Sequence, residues 1–348
     1  EAWAYYSSAA DDLETYHENR AVFRRIWLRP RILRNVRYVD LSTKILGIPS
    51  ALPFYITATA LGRMGHPDGE LNLTRAAAKT GLIQMIPTLS SVSFDEIIDA
   101  RNQEGGPAQF FQLYVSTDRN VVANMLRRAE ETNVKAIFVT VDAPQLGRRE
   151  QDMRMHFVDE GSDVQGGHVE KRDAGAARAI TLFIDPSFDW DDVLWMKRQT
   201  RLPILLKGVQ TWEDAVQAYE MGLAGVVLSN HGGRQLDFAR SGVEVLEEVM
   251  LSLMRRGSFP NPAFQVMVDG GFRRGTDILK ALAMGATAVG IGRPFLYAYS
   301  AYGVDGVIHA INLLRDELEM NMRLIGARSI EELVPSMVDL SALHNHTG

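Results

Sequence analysis

Eight short apolar runs recur along the chain, at 53–56, 82–86, 109–114, 135–141, 203–206, 224–228, 264–268 and 287–291. Each has the length of a strand, and their nearly unbroken apolar character suits strands buried on both faces. Stretches of helical periodicity fall between them, at 71–79, 120–132, 211–221, 243–256 and 276–284. In the last of these Ile278, Leu279 and Leu282 share one face, and Gly285 stands where a C-cap belongs. Eight strands alternating with helices predict an α/β protein, a single (β/α)8 TIM barrel over 1–348. A doubly wound sheet is the rival architecture. Residues 1–20, 303–326 and 329–333 predict extra helices before and after the barrel. The alternation is interrupted once, after the fourth strand. There 154–186 predicts a long mobile loop, whose polar, glycine-rich centre at 159–168 suits either a lid or an inert insertion.

Composition narrows the function classes. With 348 residues, 46% of them hydrophobic, the chain can bury a large core. Its formal charge of −6, from 37 basic and 43 acidic residues, gives no reason to expect a nucleic-acid partner. No apolar run approaches the ~18 residues of a membrane span, and no basic tail suggests a membrane surface. The absence of cysteine excludes disulfides, thiolate catalysis and cysteine-ligated metal. Glu1 is not a Met and lies inside a helical pattern, so residues upstream are expected. The chain ends His344-Asn345-His346-Thr347-Gly348, which is not a peroxisomal Ser-Lys-Leu signal.

In a barrel the chemistry sits at the C-terminal ends of the strands, and polar residues gather there. The first strand exits into Thr57, Ala58 and Thr59, the third into Gln112 and Tyr114, and the fourth into Thr140 and Asp142. Lys207 ends the fifth. Ser229-Asn230-His231-Gly232-Gly233-Arg234-Gln235-Leu236-Asp237 follows the sixth. That segment sets a group able to take a proton near neutral pH three residues from one able to grip a carboxylate with two parallel bonds. It points to chemistry on a small organic acid. Asp142 can orient His231 and stabilise its protonated form, or merely cap a turn. Lys207 can face an anionic cofactor or form a Schiff base. Asp269-Gly270-Gly271-Phe272-Arg273 follows the seventh strand and Gly292-Arg293-Pro294 the eighth, where this fold usually grips phosphate. No Gly-x-Gly-x-x-Gly follows a strand, which counts against a nicotinamide site. No metal site is expected.

These motifs resemble those of the FMN-dependent 2-hydroxyacid oxidases and dehydrogenases, which include glycolate oxidase, mandelate dehydrogenase and the haem-linked L-lactate flavocytochromes. The resemblance runs from Tyr5-Tyr6-Ser7-Ser8-Ala9 to Glu331 and rests on S-N-H-G-G-R-Q-L-D, Q-L-Y at 112–114, T-V-D-A-P at 140–144, K-G-V at 207–209, D-G-G-F-R-R-G-T-D at 269–277 and G-R-P-F at 292–295. It is strongest toward the flavin domain of the L-lactate flavocytochromes, through A-Y-Y-S-S-A-A-D-D, T-A-T-A-L at 57–61 and L-G-R-R-E-Q-D-M at 146–153.

The resemblance implies FMN as cofactor and oxidation of an L-2-hydroxy acid, with His231 as base and Asp142 behind it. Arg234, supported by Arg149, would bind the substrate carboxylate, with Tyr114 and Tyr5 as hydrogen-bonding partners. Lys207 would face the N1/O2 edge of the flavin. Gln112, Thr140, Ser229 and the backbone of Thr57, Ala58 and Thr59 would hold the ring, and Asp269 would also bind the cofactor. Gly270, Gly271, Arg273, Gly292 and Arg293 would take the phosphate.

Three positions depart from the pattern or refine it. Pro87 stands where the family usually has Ser, and Phe272 replaces a small aliphatic residue. Leu89 stands where glycolate oxidases tend to carry Trp, which favours L-lactate over glycolate. The resemblance also implies a homotetramer. The acceptor would be a haem domain upstream of Glu1 or cytochrome c, in the mitochondrial intermembrane space. The alternatives are an oxidase passing electrons to O2, a cytoplasmic setting, and, from another class, a flavin- or phosphate-binding barrel without turnover or an FMN isomerase.

Overall fold

A computed structural model describes residues 2–154, 183–257 and 261–344. Eight parallel strands form one sheet: β1 (Phe54–Ile56), β2 (Met85–Ile86), β3 (Phe110–Leu113), β4 (Ile137–Thr140), β5 (Ile204–Val209), β6 (Gly225–Leu228), β7 (Gln265–Asp269) and β8 (Ala288–Ile291). Each strand pairs with its sequence neighbours, and β1 pairs with β8. A single bridge from Ile56 to Gln84 joins β1 to β2 and closes the cylinder. The fold is a (β/α)8 barrel, as the alternation predicts. Helices α1 (Leu71–Thr80), α2 (Phe94–Gln103), α3 (Arg119–Glu131), α4 (Trp190–Gln199), α5 (Trp212–Glu220), α6 (Gly242–Arg255), α7 (Gly275–Ala283) and α8 (Arg293–Ile325) follow the strands in turn.

Two of these helices, α2 and α4, lie outside the periodic stretches read from sequence, yet both start on capping boxes, Ser93 with Glu96 and Asp189 with Asp192. The other departures are at the ends of the chain. Residues 2–21 form two helices, Ala2–Ser7 and Glu14–Ala21, parted by left-handed Asp11 and Leu13. The C-terminal helix begins at Arg293 and breaks at Gly303, where φ is +59° and ψ −147°. The stretch 329–333 holds only a single 3-10 turn, Ile330–Glu332. An antiparallel hairpin, Thr43–Ile45 with Ile48–Ser50, precedes β1 and buries Ile45 in the barrel interior. Most of the predicted 154–186 loop lies outside the described residues.

The two-residue period of the strands divides the core and positions the chemistry. One set of side chains, including Phe54, Ile56, Phe111, Val139 and Leu206, faces the helices. The other, Tyr55, Phe110, Phe138, Leu205, Val227, Met267 and Ala288, fills the barrel. Two residues beyond each interior position stand Thr57, Gln112, Thr140, Lys207, Ser229, Asp269 and Gly290. The layer above an apolar plug is thus polar, at the C-terminal mouth.

Candidate active site

One cavity opens at that mouth, enclosing about 1220 Å³ with its opening counted. Its wall includes Tyr5, Thr57, Ala58, Thr59, Leu89, Gln112, Tyr114, Thr140, Arg149, Lys207, His231, Arg234, Asp269, Gly270, Gly271, Arg273, Gly292 and Arg293. Of the residues singled out from sequence, only Asp142 and Ser229 are off the wall. Asp142 sits behind His231. Ser229 is fully buried; its hydroxyl accepts from the Lys207 ammonium and the His231 backbone N–H, both at 3.1 Å. Its hydroxyl therefore supports two wall residues instead of lining the cavity itself.

His231 holds a left-handed backbone at φ +58°, on the turn that carries its ring back over the barrel mouth. Nδ1 lies 3.0 Å from Asp142 Oδ1, and Nε2 lies 3.3 Å from the Tyr114 hydroxyl. Burial pushes the imidazole below its ordinary value, and Asp142 pulls the other way. The result is a neutral imidazole poised to gain a proton that Asp142 then stabilises. Burial, with Asp142 next, raises the Tyr114 hydroxyl, so it stays protonated as a donor. The approach of Asp142 depends on Gly208 in a bulge of β5: at φ +113° a side chain there would stand 2.6 Å from the Asp142 Cβ.

Two arginines face the same space. Arg234 Nη1 donates to the carbonyls of Tyr5 at 2.7 Å and Ser8 at 3.0 Å, and its guanidinium lies 4.8 Å from the Tyr5 ring centroid. Arg149, buried, donates toward the Arg234 carbonyl and Gln235 Oε1, both at 3.4 Å. Among the described residues every hydrogen-bond partner of either guanidinium is a neutral oxygen. Burial and then the Arg149 charge pull Arg234 down to about 9, still cationic near neutrality. Asp152 lies close enough to be felt by both charges but forms no ion pair with either, so the two guanidiniums together make a strong carboxylate site.

Lys207, also buried, pairs with Asp269 at 3.1 Å. Burial opposes its charge, but Asp269 and Asp142 outweigh burial and hold it above its ordinary value. Gln112 is fixed by donating to Thr140 Oγ1 and accepting from the Thr88 N–H. The Thr57 and Thr59 hydroxyls are buried on the wall with no partner among the described residues. Gly270 and Gly271 lie at φ +95° and +86°, and a side chain at Gly271 would meet the Asn19 carbonyl at 1.8 Å. Arg273 is half-buried beside them. Arg293 donates to the carbonyls of Tyr6, Ser8 and Gly232, so it also ties the N-terminal helix to the His231 turn.

Sequence reasoning missed the N-terminal contribution to this wall beyond Tyr5. Tyr16, Asn19 and Arg20 line the cavity. Asn19 exchanges two hydrogen bonds with Asn230, at 2.9 and 2.8 Å. The Asp237 carboxylate accepts from the N–H groups of Asp12, Glu14 and Thr15, capping helix Glu14–Ala21. The only early signal was the length of S-N-H-G-G-R-Q-L-D itself, which is longer than a base and a clamp require. Pro87 and Leu89 line the cavity, and Phe272 packs edge-on against Phe23 with centroids 5.0 Å apart.

The comparisons with known proteins agree with this geometry. A profile of the FMN-dependent dehydrogenase family matches residues 1–340. The chain is 53% identical over 345 residues to an L-lactate dehydrogenase (cytochrome) of Wickerhamomyces anomalus, across 99% of this chain and 59% of that relative. It therefore spans about three fifths of that protein's length. It is 44% identical to Glycolate oxidase 3 of Arabidopsis thaliana over 339 residues, covering 94% of this chain and 89% of the relative. Among solved structures, the recombinant flavin-binding domain of baker's yeast flavocytochrome b2 superposes with a TM-score of 0.91 at 49% identity, over 100% of this chain and 84% of that one. A family profile across nearly the whole chain and a shared barrel lead to one conclusion: this chain belongs to the FMN-dependent dehydrogenase family.

Proposed function

We propose that the chain catalyses the FMN-dependent oxidation of an L-2-hydroxy acid, L-lactate to pyruvate being the reaction that suits it best. The observation that carries this reading is the placing of His231, backed by Asp142, on one cavity wall with two arginines whose hydrogen bonds all go to neutral oxygens. FMN suits the rest of the wall. Thr57 and Thr59 offer unpartnered buried hydroxyls, Lys207 a buried cation and Gln112 a fixed amide. Gly270, Gly271, Gly292 and Arg273 offer a phosphate backbone N–H groups and charge without a side chain in the way. When bound, FMN would accept the two electrons, which no side chain can take, together with the second hydrogen the substrate loses.

The protein's own residues supply the rest. Arg234 is already held along its Nη1 edge by Tyr5 and Ser8, so its remaining donors, with Arg149, bind and orient the carboxylate. His231 Nε2 takes the proton that the substrate gives up, and Asp142 stabilises the resulting imidazolium. The Tyr114 hydroxyl, 3.3 Å from Nε2, steadies the substrate oxygen. Leu89 lines the pocket and is backed by Tyr114, Ala143 and Ile184 in one apolar cluster. Its modest size favours a substrate with a methyl group over glycolate. A passive flavin-binding barrel has no use for a base and a clamp.

For the acceptor we favour a cytochrome haem, in a preceding domain or a separate cytochrome c, and with it the mitochondrial intermembrane space. The first relative's name and its greater length support this. The 44% identity to a glycolate oxidase keeps an O2-using oxidase as the second reading. We also propose that copies of the chain assemble into a homotetramer. An exposed segment carries Trp27, Ile32, Leu33 and Tyr38 among Arg24, Arg29, Arg31, Arg34 and Arg37, with no acidic residue between them. A second copy of a molecule of net charge −6 is a complementary partner for it. Assaying lactate, glycolate and mandelate side by side, with cytochrome c or O2 as acceptor, tests the reading. Lactate should lead and cytochrome reduction should outpace peroxide formation; fast oxygen turnover would move the assignment to the oxidase.

A further inference from the structure

Gln235 makes more bonds within the active site than any role assigned so far explains. Its side chain is buried, and its amide uses its full hydrogen-bonding capacity. Nε2 donates to the carbonyls of Asp142 and Gln145, both at 2.9 Å. Oε1 accepts from the Gly147 N–H at 3.1 Å and from Arg149 Nη2 at 3.4 Å. The opposite amide orientation would set oxygen against two carbonyls, so the neighbours fix which end is which. All four partners lie on the loop after β4, residues 142–149, while Gln235 sits on the loop after β6, next to Arg234. The loops also touch through their backbones: a side chain at Gly147 would stand 2.3 Å from the Arg234 carbonyl.

One neutral amide thus fixes two separations. It joins the carboxylate at 142 to the base at 231, and the guanidinium at 149 to the one at 234. Its neutrality matters as much as its reach. A glutamate here would place an anion beside Arg149 and two carbonyls, cancelling charge that the carboxylate clamp needs and repelling the Asp142 and Gln145 oxygens. A hydrophobic residue of similar volume would leave the buried Arg149 guanidinium and three partly buried backbone groups without this partner.

We propose that Gln235 is a positioning residue that sets the geometry of the base and clamp while leaving the two arginines at full charge for the substrate carboxylate. This rests on the function proposed above. The test uses the FMN-loaded protein with Q235E and Q235M. It measures steady-state kinetics with L-lactate, binding of an unreactive carboxylate (oxalate) through the flavin spectrum, FMN affinity and Tm.

Q235E should raise both the lactate KM and the oxalate Kd by about ten-fold or more, the scale of one misplaced charge in a partly screened site. Both should recover in part as pH is lowered and the introduced carboxyl gains a proton, because the charge is then gone and one of the amide's two donated bonds is restored. Q235M adds no charge and should lower kcat more than it raises KM. A simple packing role would not produce the opposite splits of KM and kcat, nor the recovery in acid. Values within two-fold of the parent for both variants would overturn the proposal, as would loss of FMN and fold in both. Should Q235E alone fail to fold, Q235M decides by the same criterion. A parent protein that neither reduces its flavin with lactate nor binds oxalate would instead overturn the functional reading.

Discussion

His231 stands where three separate strand ends meet, and its behaviour follows from its neighbours. Burial holds it below the ordinary 6.5, so the neutral form that can act as base persists further into acid. The acid limb of kcat/KM against pH should therefore fall below pH 6.5; a limb above that value would contradict the assignment. Asp142 opposes the shift, so D142N should move the limb lower still while kcat falls. H231Q should leave the protein yellow and slow flavin reduction by lactate by about 10²–10⁴-fold, the usual contribution of a general base; stopped-flow absorbance measures it, and a rate within a few-fold of the parent removes His231 from the role. At this scale the sequence was highly legible for residues on strand ends, because a two-residue period sends them inward two positions beyond the apolar plug. Ser229 shares that layer, and what the sequence did not disclose is that its hydroxyl serves Lys207 and the His231 backbone. Tyr16, Asn19 and Arg20 could not be read at all, since nothing local in residues 14–21 reveals that the segment folds back over loops more than two hundred residues later.

At the level of elements, the N-terminal helices form part of the site wall. Arg234 and Arg293 hold the carbonyls at the end of helix Ala2–Ser7, and Asp237 caps Glu14–Ala21. D237A should cost about 1–3 kcal/mol in unfolding free energy, the range for groups left unsatisfied when a buried partner is removed. It should also weaken FMN binding, because Tyr16 and Asn19 move with that helix. Calorimetry and titration of flavin fluorescence measure the two effects, and unchanged FMN affinity would show that the helix does not shape the cofactor's site. The alternation of apolar runs located all eight strands to within a few residues. It passed over α2 and α4, whose signals lie in their caps more than in their apolar spacing, and over the hairpin below the barrel, whose strands are three residues each.

For the whole molecule, the exposed segment around Ile32 and Leu33 predicts assembly. Leu33 is 98% exposed beside an 82% exposed Ile32. L33D should shift the protein to a smaller species by light scattering without loss of fold, and an unchanged mass would place the interface elsewhere. A barrel of this kind hosts many chemistries, so fold alone never indicated a substrate; the proposal of a 2-hydroxy acid rests on the residues at its mouth. As proposed, this mouth holds FMN and passes it electrons from a 2-hydroxy acid. One anaerobic spectrum tests it most directly. The purified, FMN-loaded protein should be yellow and should bleach on addition of L-lactate; a protein that takes up no FMN, or whose flavin stays oxidised with lactate, glycolate and mandelate alike, contradicts the account.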